Sequence, residues 1–245
     1  MHFIVYSIIS YLLFLSLASY GETLSVMLYD TNNPPYSFKK EGKRQGIFID
    51  IFQHLEIISP YKFILIDYPF ARAQHEFFLG NVDIEPGIFH GWRINEKVYG
   101  QYSITFAKAE DVIVFRKGMA FSVQTPKNLF GKIVGTVRGY TYGEYDHPEV
   151  LRQDNKDEGL ILKQLLYQRF DQIFIDKRVI KYYMLKDKTY RQLEIGNTLL
   201  SVDVALRVHP KKVHVLPALN AALQQMLTTG KIKAIYQKYQ LAATK

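Results

Sequence analysis

The chain has 245 residues, of which 48% are hydrophobic, and its sequence contains no cysteine. That composition excludes disulfide bonds, thiolate metal sites, cysteine nucleophiles and a lipid-modified N-terminal cysteine. The formal net charge of +8 favours anionic or zwitterionic small ligands. Lysine and arginine are scattered along the sequence without a dense run, so nucleic-acid binding is not expected. The length is sufficient for one or two domains with a sizeable core.

The first 21 residues have the character of an export signal. Phe3 to Leu17 is almost wholly apolar, and residues 1–21 contain no Lys, Arg, Asp or Glu. Small residues follow and favour cleavage after Ala18 or Gly21. The segment lacks the basic residue with which a secretory signal usually begins. The alternative is an uncleaved membrane anchor, for which the apolar run is short. We therefore expect an exported, periplasmic protein.

The next part of the chain alternates strands with helices. Hydrophobic periodicity predicts, in order, a strand at 24–29, a helix at 47–58, a strand at 61–66, a helix at 70–79 and a strand at 82–84. Pro60 and Gly80 end the two helices. A proline-containing loop from Asp30 to Phe38 joins the first strand to the first helix. Strand–helix–strand order of this kind predicts an α/β lobe with a largely parallel sheet.

The same order begins again after an irregular stretch between residues 87 and 103. The later elements predicted are strands at 112–115, 133–137, 170–176 and 202–208, helices near 159–167 and 179–183, and two C-terminal helices separated at 229–230. Asn81–Ile84 and Arg169–Ile173 each read as a helix end followed by an aspartate and a strand. This weak internal repeat suggests two similar lobes.

The segment from Gly131 to Tyr145 predicts an anion-binding turn. A short strand runs into a tight turn at Arg138-Gly139-Tyr140, after which Thr141 is expected to cap a helix that runs through Tyr145. Backbone N–H groups at such a turn and helix start suit a carboxylate or phosphate. The arginine can add a charge-assisted hydrogen bond. The simpler interpretation is an ordinary strand-to-helix turn with a surface arginine.

The ordered set of motifs resembles the periplasmic solute-binding proteins of ABC transporters, specifically the family-3 type that binds polar amino acids. The segments that carry the resemblance are Pro34–Phe38, Gly46–Asp50, Gly80–Asp83, Tyr102–Ser103, Gly131–Gly135, Arg138–Tyr142, Phe170–Asp176, Leu219–Leu223 and Gly230–Tyr239. It implies an α/β, two-lobe periplasmic-binding-protein-like (type II) fold with two hinge crossings, near 107–110 and 201–203. Lobe 1 would then comprise residues 22–108 plus 202–245, and lobe 2 residues 109–201, closing on a ligand between them.

The resemblance also implies roles for individual residues of that cleft. Asp176 corresponds to the carboxylate that pairs with the ligand's α-amino group, and it also suits a helix N-cap. Gly139, Tyr140 and Thr141 correspond to a turn whose backbone donates to an α-carboxylate, with Arg138 beside it.

The resemblance further implies aromatic walls and polar contacts in lobe 1. Tyr36 and Phe70 correspond to rings that enclose the ligand's stem and favour a cationic group, although both also suit the core of lobe 1. Asp30 follows the first strand and either contacts a ligand side chain or holds its own turn. Arg72 is either a second basic contact or a brace for its loop.

The chain departs from the family between residues 85 and 103. Gly87 fits the family pattern, but Phe89 occupies a position at which serine or threonine is expected. The arginine that clamps the ligand's carboxylate would be Arg93, with Lys97 as the alternative. Arg93 is preferred because a planar guanidinium binds a carboxylate through two hydrogen bonds, whereas an ammonium does not. Its competing role is a surface residue packed on Trp92. This departure puts a standard α-amino acid ligand in question.

The sequence predicts a binding protein and not an enzyme, and no metal or cofactor. The histidines show no metal-ligand spacing, and neither a Gly-x-Ser-x-Gly elbow nor a phosphate-binding loop occurs. The alternatives are a periplasmic dehydratase-like enzyme of the same fold, using Glu85 or His90 for proton transfer, and a ligand sensor for a membrane receptor. The favoured function is capture of a small polar, carboxylate-bearing metabolite by a monomer that serves an inner-membrane ABC permease.

Overall fold

The structure, a computed structural model, describes residues 21–241 and contains a mixed sheet flanked by α-helices. The strands are β1 (Thr23–Tyr29), β2 (Phe38–Lys40), β3 (Lys43–Gln45), β4 (Lys62–Tyr68), β5 (Ile84–Ile88), β6 (Gln101–Tyr102), β7 (Ala107–Phe115), β8 (Ile133–Val137), β9 (Leu151–Asn155), β10 (Gln172–Asp176) and β11 (Glu194–Val208). The helices are α1 (Ile47–Ile58), α2 (Phe70–Leu79), α3 (Glu158–Leu166), α4 (Lys177–Lys186), α5 (Leu216–Thr228) and α6 (Lys231–Leu241).

Two parallel groups of strands are joined by a long antiparallel pair. The strand order is β4-β1-β5-β11-β7-β10-β8-β9, with β6 paired to β11. β1 runs parallel to β4 and β5, and β8 runs parallel to β9 and β10. β11 pairs with β5 through residues 205–208 and with β7 through residues 194–204, so it belongs to both groups. Each group has the strand–helix–strand order that the sequence predicts.

Each group has its own hydrophobic core. In the first, Leu24 of β1 packs in one cluster with Ile51 of α1 and Leu223 of α5. In the second, β10 is apolar on both faces. Ile173 packs with residues of α3 and α4, and the next residue, Phe174, packs in a separate cluster on the other face. Continuous apolar strands are typical of parallel sheets that are covered on both sides.

The two predicted crossings are neighbours in the sheet. Glu110 of β7 lies opposite Ser201 of β11, and Lys108 lies opposite Asp203. An ion pair of 2.9 Å joins the last two side chains. The lobe boundaries drawn at these crossings remain a prediction.

Several predicted elements have different bounds in the structure. The helix predicted through Tyr145 is wrong, because a short 3-10 helix begins only at Gly143 and Thr141 does not cap it. Tyr142 precedes this helix, and its N–H donates to Asp146 Oδ2 at 2.7 Å. The crossing strands β7 and β11 are longer than predicted. The β2–β3 hairpin and the short strands β6 and β9 were not predicted, because their sequences are polar and lack a strand alternation.

Two sequence predictions concern membranes. No helix within residues 21–241 combines the length and the apolar character needed to cross a bilayer. The predicted signal peptide lies, apart from Gly21, outside the described residues.

Candidate functional site

A cavity of about 140 Å³ lies where the two groups of strands meet, beside the crossings of β7 and β11. Both groups contribute to its wall. The lining residues include Tyr29, Asn33, Tyr36, Phe48, Phe70, Gly87, Trp92, Arg93, Lys108, Asp111, Gly139, Tyr140, Thr141, Tyr142, Glu158, Asp176, Val204 and Tyr236.

The cavity brings together eight of the eleven predicted site residues. These are Tyr36, Phe70, Gly87, Arg93, Gly139, Tyr140, Thr141 and Asp176. The other three, Asp30, Arg72 and Arg138, are exposed and do not line it. Arg72 instead pairs with Glu76, one turn further along α2, at 3.4 Å.

The turn at Gly139 lies very close to the start of α2. Gly139 has a φ of +84°, and a Cβ at this position would lie 2.5 Å from the Phe70 ring. Only glycine tolerates both the left-handed backbone and that proximity. The next residue, Tyr140, has its ring centroid 6.2 Å from that of Phe70, and its hydroxyl accepts a hydrogen bond from Asn33 Nδ2 at 3.4 Å. These contacts cover the cavity from one side.

Asp176 ends β10 and begins α4. Its Oδ1 accepts hydrogen bonds from the backbone N–H groups of Arg178 at 2.8 Å and Val179 at 3.1 Å, so it caps the helix while it also lines the cavity. The two roles proposed from the sequence are therefore geometrically compatible. Burial raises the pKa of Asp176 above its ordinary value, although Arg178 and a hydrogen bond from Tyr36 oppose that shift.

Asp111 lies directly opposite Asp176 in the antiparallel ladder of β7 and β10, and it lines the same cavity. Burial, with the negative charges of Asp176 and Glu158, raises the pKa of Asp111 to about 8. Sequence reasoning missed this residue. The available signal was an acidic residue at the start of an apolar strand, just past the predicted crossing.

Glu158, the first residue of α3, is the third carboxyl group of the cavity and was also missed. Its side chain is 3% exposed, and its Oε2 atom has no hydrogen-bond partner among the described residues. Burial raises the pKa of Glu158 to about 7, although the neighbouring Tyr140 hydroxyl favours the charged form. Its sequence position carried no distinctive signal, since acidic residues are common in the first turn of a helix.

Arg93 lines the cavity, but its guanidinium group is already engaged. Nε and Nη2 donate to the two oxygens of Glu85 at 3.2 and 2.7 Å, Nη2 also donates to the Tyr29 hydroxyl, and Nη1 donates to the carbonyl of Trp92. A guanidinium has five N–H groups, so these four bonds leave one. The residue is buried, with 5% of its surface exposed, and is not the surface residue of the alternative interpretation. Lys97 does not line the cavity.

Glu85 binds a second arginine on its other side. Nη1 of Arg207 donates to Glu85 Oε2 at 2.7 Å, and the Arg207 guanidinium lies 4.0 Å from the centroid of the Phe77 ring. Burial alone would raise the pKa of Glu85, but Arg93, Arg207 and a hydrogen bond from Tyr29 lower it to about 2. The carboxylate, which Arg93 shares with Arg207, thus neutralises part of the positive charge that Arg93 would offer a ligand.

Comparison with known families identifies the architecture. The family model of bacterial extracellular solute-binding proteins, family 3, matches residues 26–242. The chain belongs to this family. The predicted resemblance is confirmed, and with it a role in binding a solute outside the cytoplasm. The enzyme and sensor alternatives are not favoured.

Solved structures share the fold of this family-3 solute-binding protein. A substrate-binding protein of an ABC uptake transporter from Streptococcus pneumoniae with bound histidine has a TM-score of 0.77 and 20% identity, over 94% of this chain and 98% of that one. The arginine-, lysine-, histidine-binding protein ArtJ from Geobacillus stearothermophilus has a TM-score of 0.74 and 17% identity, over 91% and 97%. An ancestral arginine-binding protein bound to arginine has a TM-score of 0.75 and 23% identity, over 89% and 97%. The predicted type II fold is confirmed. No curated protein sequence matches the chain.

The charges of the cavity suit a cationic group better than an anionic one. Three carboxyl groups line it, whereas Arg93 is paired with Glu85 and Lys108 is exposed and paired with Asp203. Within the described residues, no set of three His, Cys, Asp or Glu side chains is arranged to hold a metal ion. Aromatic rings form much of the remaining wall and can contact a cation through their faces.

Proposed function

We propose that this family-3 protein captures a small polar solute with an amino group, an amino acid or a related metabolite, and delivers it to an inner-membrane ABC permease. It would act in the periplasm as a monomer. The observation that carries the proposal is Asp176, a carboxylate fixed by two backbone hydrogen bonds at the wall of a covered cavity. A carboxylate in such a place pairs with an ammonium group that the cavity removes from water.

Closure of two lobes would trap the solute. In this proposal residues 22–108 with 202–245 move against residues 109–201 about the β7 and β11 crossings. Contacts such as Gly139 to Phe70 and Tyr140 to Asn33 exist only when the lobes are close. A solute that touches both lobes stabilises the closed form by its difference in affinity for the two forms.

Two features support an oxygen atom on the solute. The turn from Gly139 to Thr141 lines the cavity, although the Tyr140 N–H already donates to the Val137 carbonyl at 3.1 Å. The indole Nε1 of Trp92 is a buried donor without a partner among the described residues. These are uncharged donors. Arg93 was predicted to bind a carboxylate of the solute. It supports a carboxylate on the solute less well, because the guanidinium of Arg93 is already bound to Glu85.

The enzyme alternative has little support from its two candidate residues. Glu85 is held charged between Arg93 and Arg207, with a pKa of about 2, which is unsuited to proton transfer near neutral pH. His90 is exposed and does not line the cavity.

Isothermal titration with amino acids, small organic acids and amines tests the proposal through Asp176→Asn. Asparagine retains the helix cap and removes the charge. We expect affinity for the best solute to fall at least about thirtyfold, the equivalent of ~2 kcal/mol for an unpaired buried charge. Asp30→Asn, outside the cavity, is the matched control and should bind normally. Unchanged affinity in Asp176→Asn would refute the assigned site, and a new product by mass spectrometry would favour an enzyme.

A further inference from the structure

Two of the cavity's carboxyl groups are held together by the sheet itself. Asp111 and Asp176 are direct partners in the β7–β10 ladder, so both side chains project from the same face. The Cβ atoms of such partners are roughly 4.5–5.5 Å apart, and like charges at this separation destabilise a sheet. The repulsion between the two carboxylates destabilises the empty protein. A cation bound between them would remove that repulsion.

The third carboxyl group has an atom that needs a donor. Glu158 is 97% buried, and its Oε2 lacks a hydrogen-bond partner among residues 21–241. Asn33 Oδ1, another acceptor on the cavity wall, is likewise buried without a partner in the described part of the chain. Buried acceptors are nearly always satisfied in folded proteins. A bound group with several N–H donors would satisfy both.

The protein supplies only part of the compensating positive charge. Arg178 lies beside Asp176 and lowers its pKa, while its Nη1 group donates to the carbonyl of Lys108. Arg93 shares the Glu85 carboxylate with Arg207 and is only partly neutralised, and the Lys108 side chain is 65% exposed. When all three carboxyl groups are ionised, their charge exceeds that of Arg178 and the partly balanced charge of Arg93, so a net negative charge remains for a ligand to balance.

We propose that the cavity selects a ligand with two cationic nitrogen groups and no free carboxylate, a diamine or guanidino-amine. This inference rests on the proposed function, since it names the substrate class of the same cavity. One ammonium group lies between Asp176 and Asp111, and the second cationic group reaches Glu158. The rings of Tyr36, Phe70 and Tyr140 enclose the apolar stem between them. A free carboxylate would add a negative charge to a cavity whose available donors are mainly uncharged.

Matched ligand pairs test this substrate class. Lysine differs from 1,5-diaminopentane, and arginine from agmatine, only by the carboxylate. In titrations of the full protein at pH 8, we expect the decarboxylated member of at least one pair to bind tenfold or more tightly than its amino acid. If lysine and arginine each bind as tightly as, or more tightly than, their decarboxylated partners, the inference is overturned while the proposed function stands. Absence of binding by all four compounds would also overturn it, and the wider titration panel would then decide the proposed function separately.

Variants assign the second charge to particular residues. Glu158→Gln should weaken binding of the preferred diamine tenfold or more and leave binding of the monoamine 1-aminopentane within threefold. Asp111→Asn should weaken binding of both compounds, because its carboxylate contacts the ammonium group that they share. Asp157→Asn is the matched control. Asp157 is next to Glu158 but does not line the cavity, and asparagine can still cap α3. Diamine affinity unchanged in both variants would refute the assignment. Thermal unfolding of each variant separates loss of binding from loss of folding.

Discussion

Asp111 and Asp176 face each other across neighbouring antiparallel strands and open onto one cavity. Burial raises both pKa values, and the negative charge of Asp176 raises the pKa of Asp111 further, so the folded protein binds protons that the unfolded chain releases. Near pH 8 the ligand-free protein is therefore less stable to unfolding than it would be with uncharged residues at these two positions. Affinity for a cation and stability of the empty protein are thus opposed at the same residues.

Asp111→Asn should stabilise the empty protein at pH 8 and have a much smaller effect at pH 5. The pKa of Asp111 lies near 8 in the folded state, well above its unfolded value, so its cost is absent below the unfolded pKa and grows as pH rises towards 8. We expect the melting temperature at pH 8 to rise by a few degrees, since 1 kcal/mol corresponds to about 2–4 °C at this chain length. Scanning calorimetry from pH 5 to 8.5 measures the difference.

The difference between variant and wild type isolates Asp111 from other titrating groups. His54 and His209, whose pKa values are lowered mainly by burial, titrate in both proteins and cancel. Asp30→Asn, at an exposed position, should follow the wild type. A variant that is less stable than wild type at pH 8 would show that the Asp111 carboxylate stabilises the empty fold.

Binding of a cationic solute should release protons at pH 7. Asp111 and Glu158 have pKa values of about 8 and 7 in the empty cavity, so both carry protons for part of the time. A cation lowers these pKa values and expels the protons, so affinity should increase from pH 6 to 8. Titration calorimetry in buffers with different ionisation heats gives the number released, for which we expect about one. Glu158→Gln should reduce it, and uptake of protons would contradict the model.

The sequence is sufficient to predict the order of the main strands and helices and the sharp turn at Gly139, because these depend on local periodicity and glycine. Asp176 can be predicted as a site residue for the same reason, since it is an aspartate between the end of a strand and the start of a helix. The charge balance of the cavity cannot be predicted in this way. It depends on which residue faces Asp176 across the sheet, and on Glu85, whose second arginine, Arg207, lies 122 residues away. Such pairings are tertiary and leave no periodic signal.

Gly139→Ala should prevent full closure of the lobes. The added Cβ would lie 2.5 Å from the Phe70 ring, on a backbone that already has a φ of +84°. Gly143→Ala is the matched control, because its φ is +63° but a Cβ there meets no atom within 4 Å. We expect at least tenfold weaker solute binding for Gly139→Ala and little change for the control. Small-angle scattering with saturating solute measures closure. Equal binding by both variants would show that this contact does not limit closure.

Glu85→Gln should destabilise the fold strongly because Arg93 and Arg207 would both lose their buried carboxylate partner. Removing one partner of a buried pair costs about 3–5 kcal/mol, whereas a surface pair contributes ~0–1 kcal/mol. Glu76→Gln, whose partner Arg72 is largely exposed, is the matched control and should change stability little. Urea unfolding near pH 6 compares the variants.

The pH dependence identifies the carboxylate charge as the cause. Since the folded pKa of Glu85 is lowered to about 2, its contribution is fully present above the unfolded value of about 4.5 and is lost as pH falls towards 2. The stability difference between wild type and Glu85→Gln should therefore be constant from pH 6 to 5 and shrink below pH 4. A difference that persists unchanged at pH 3 would mean that Glu85 acts through packing and hydrogen-bond geometry and not through its charge.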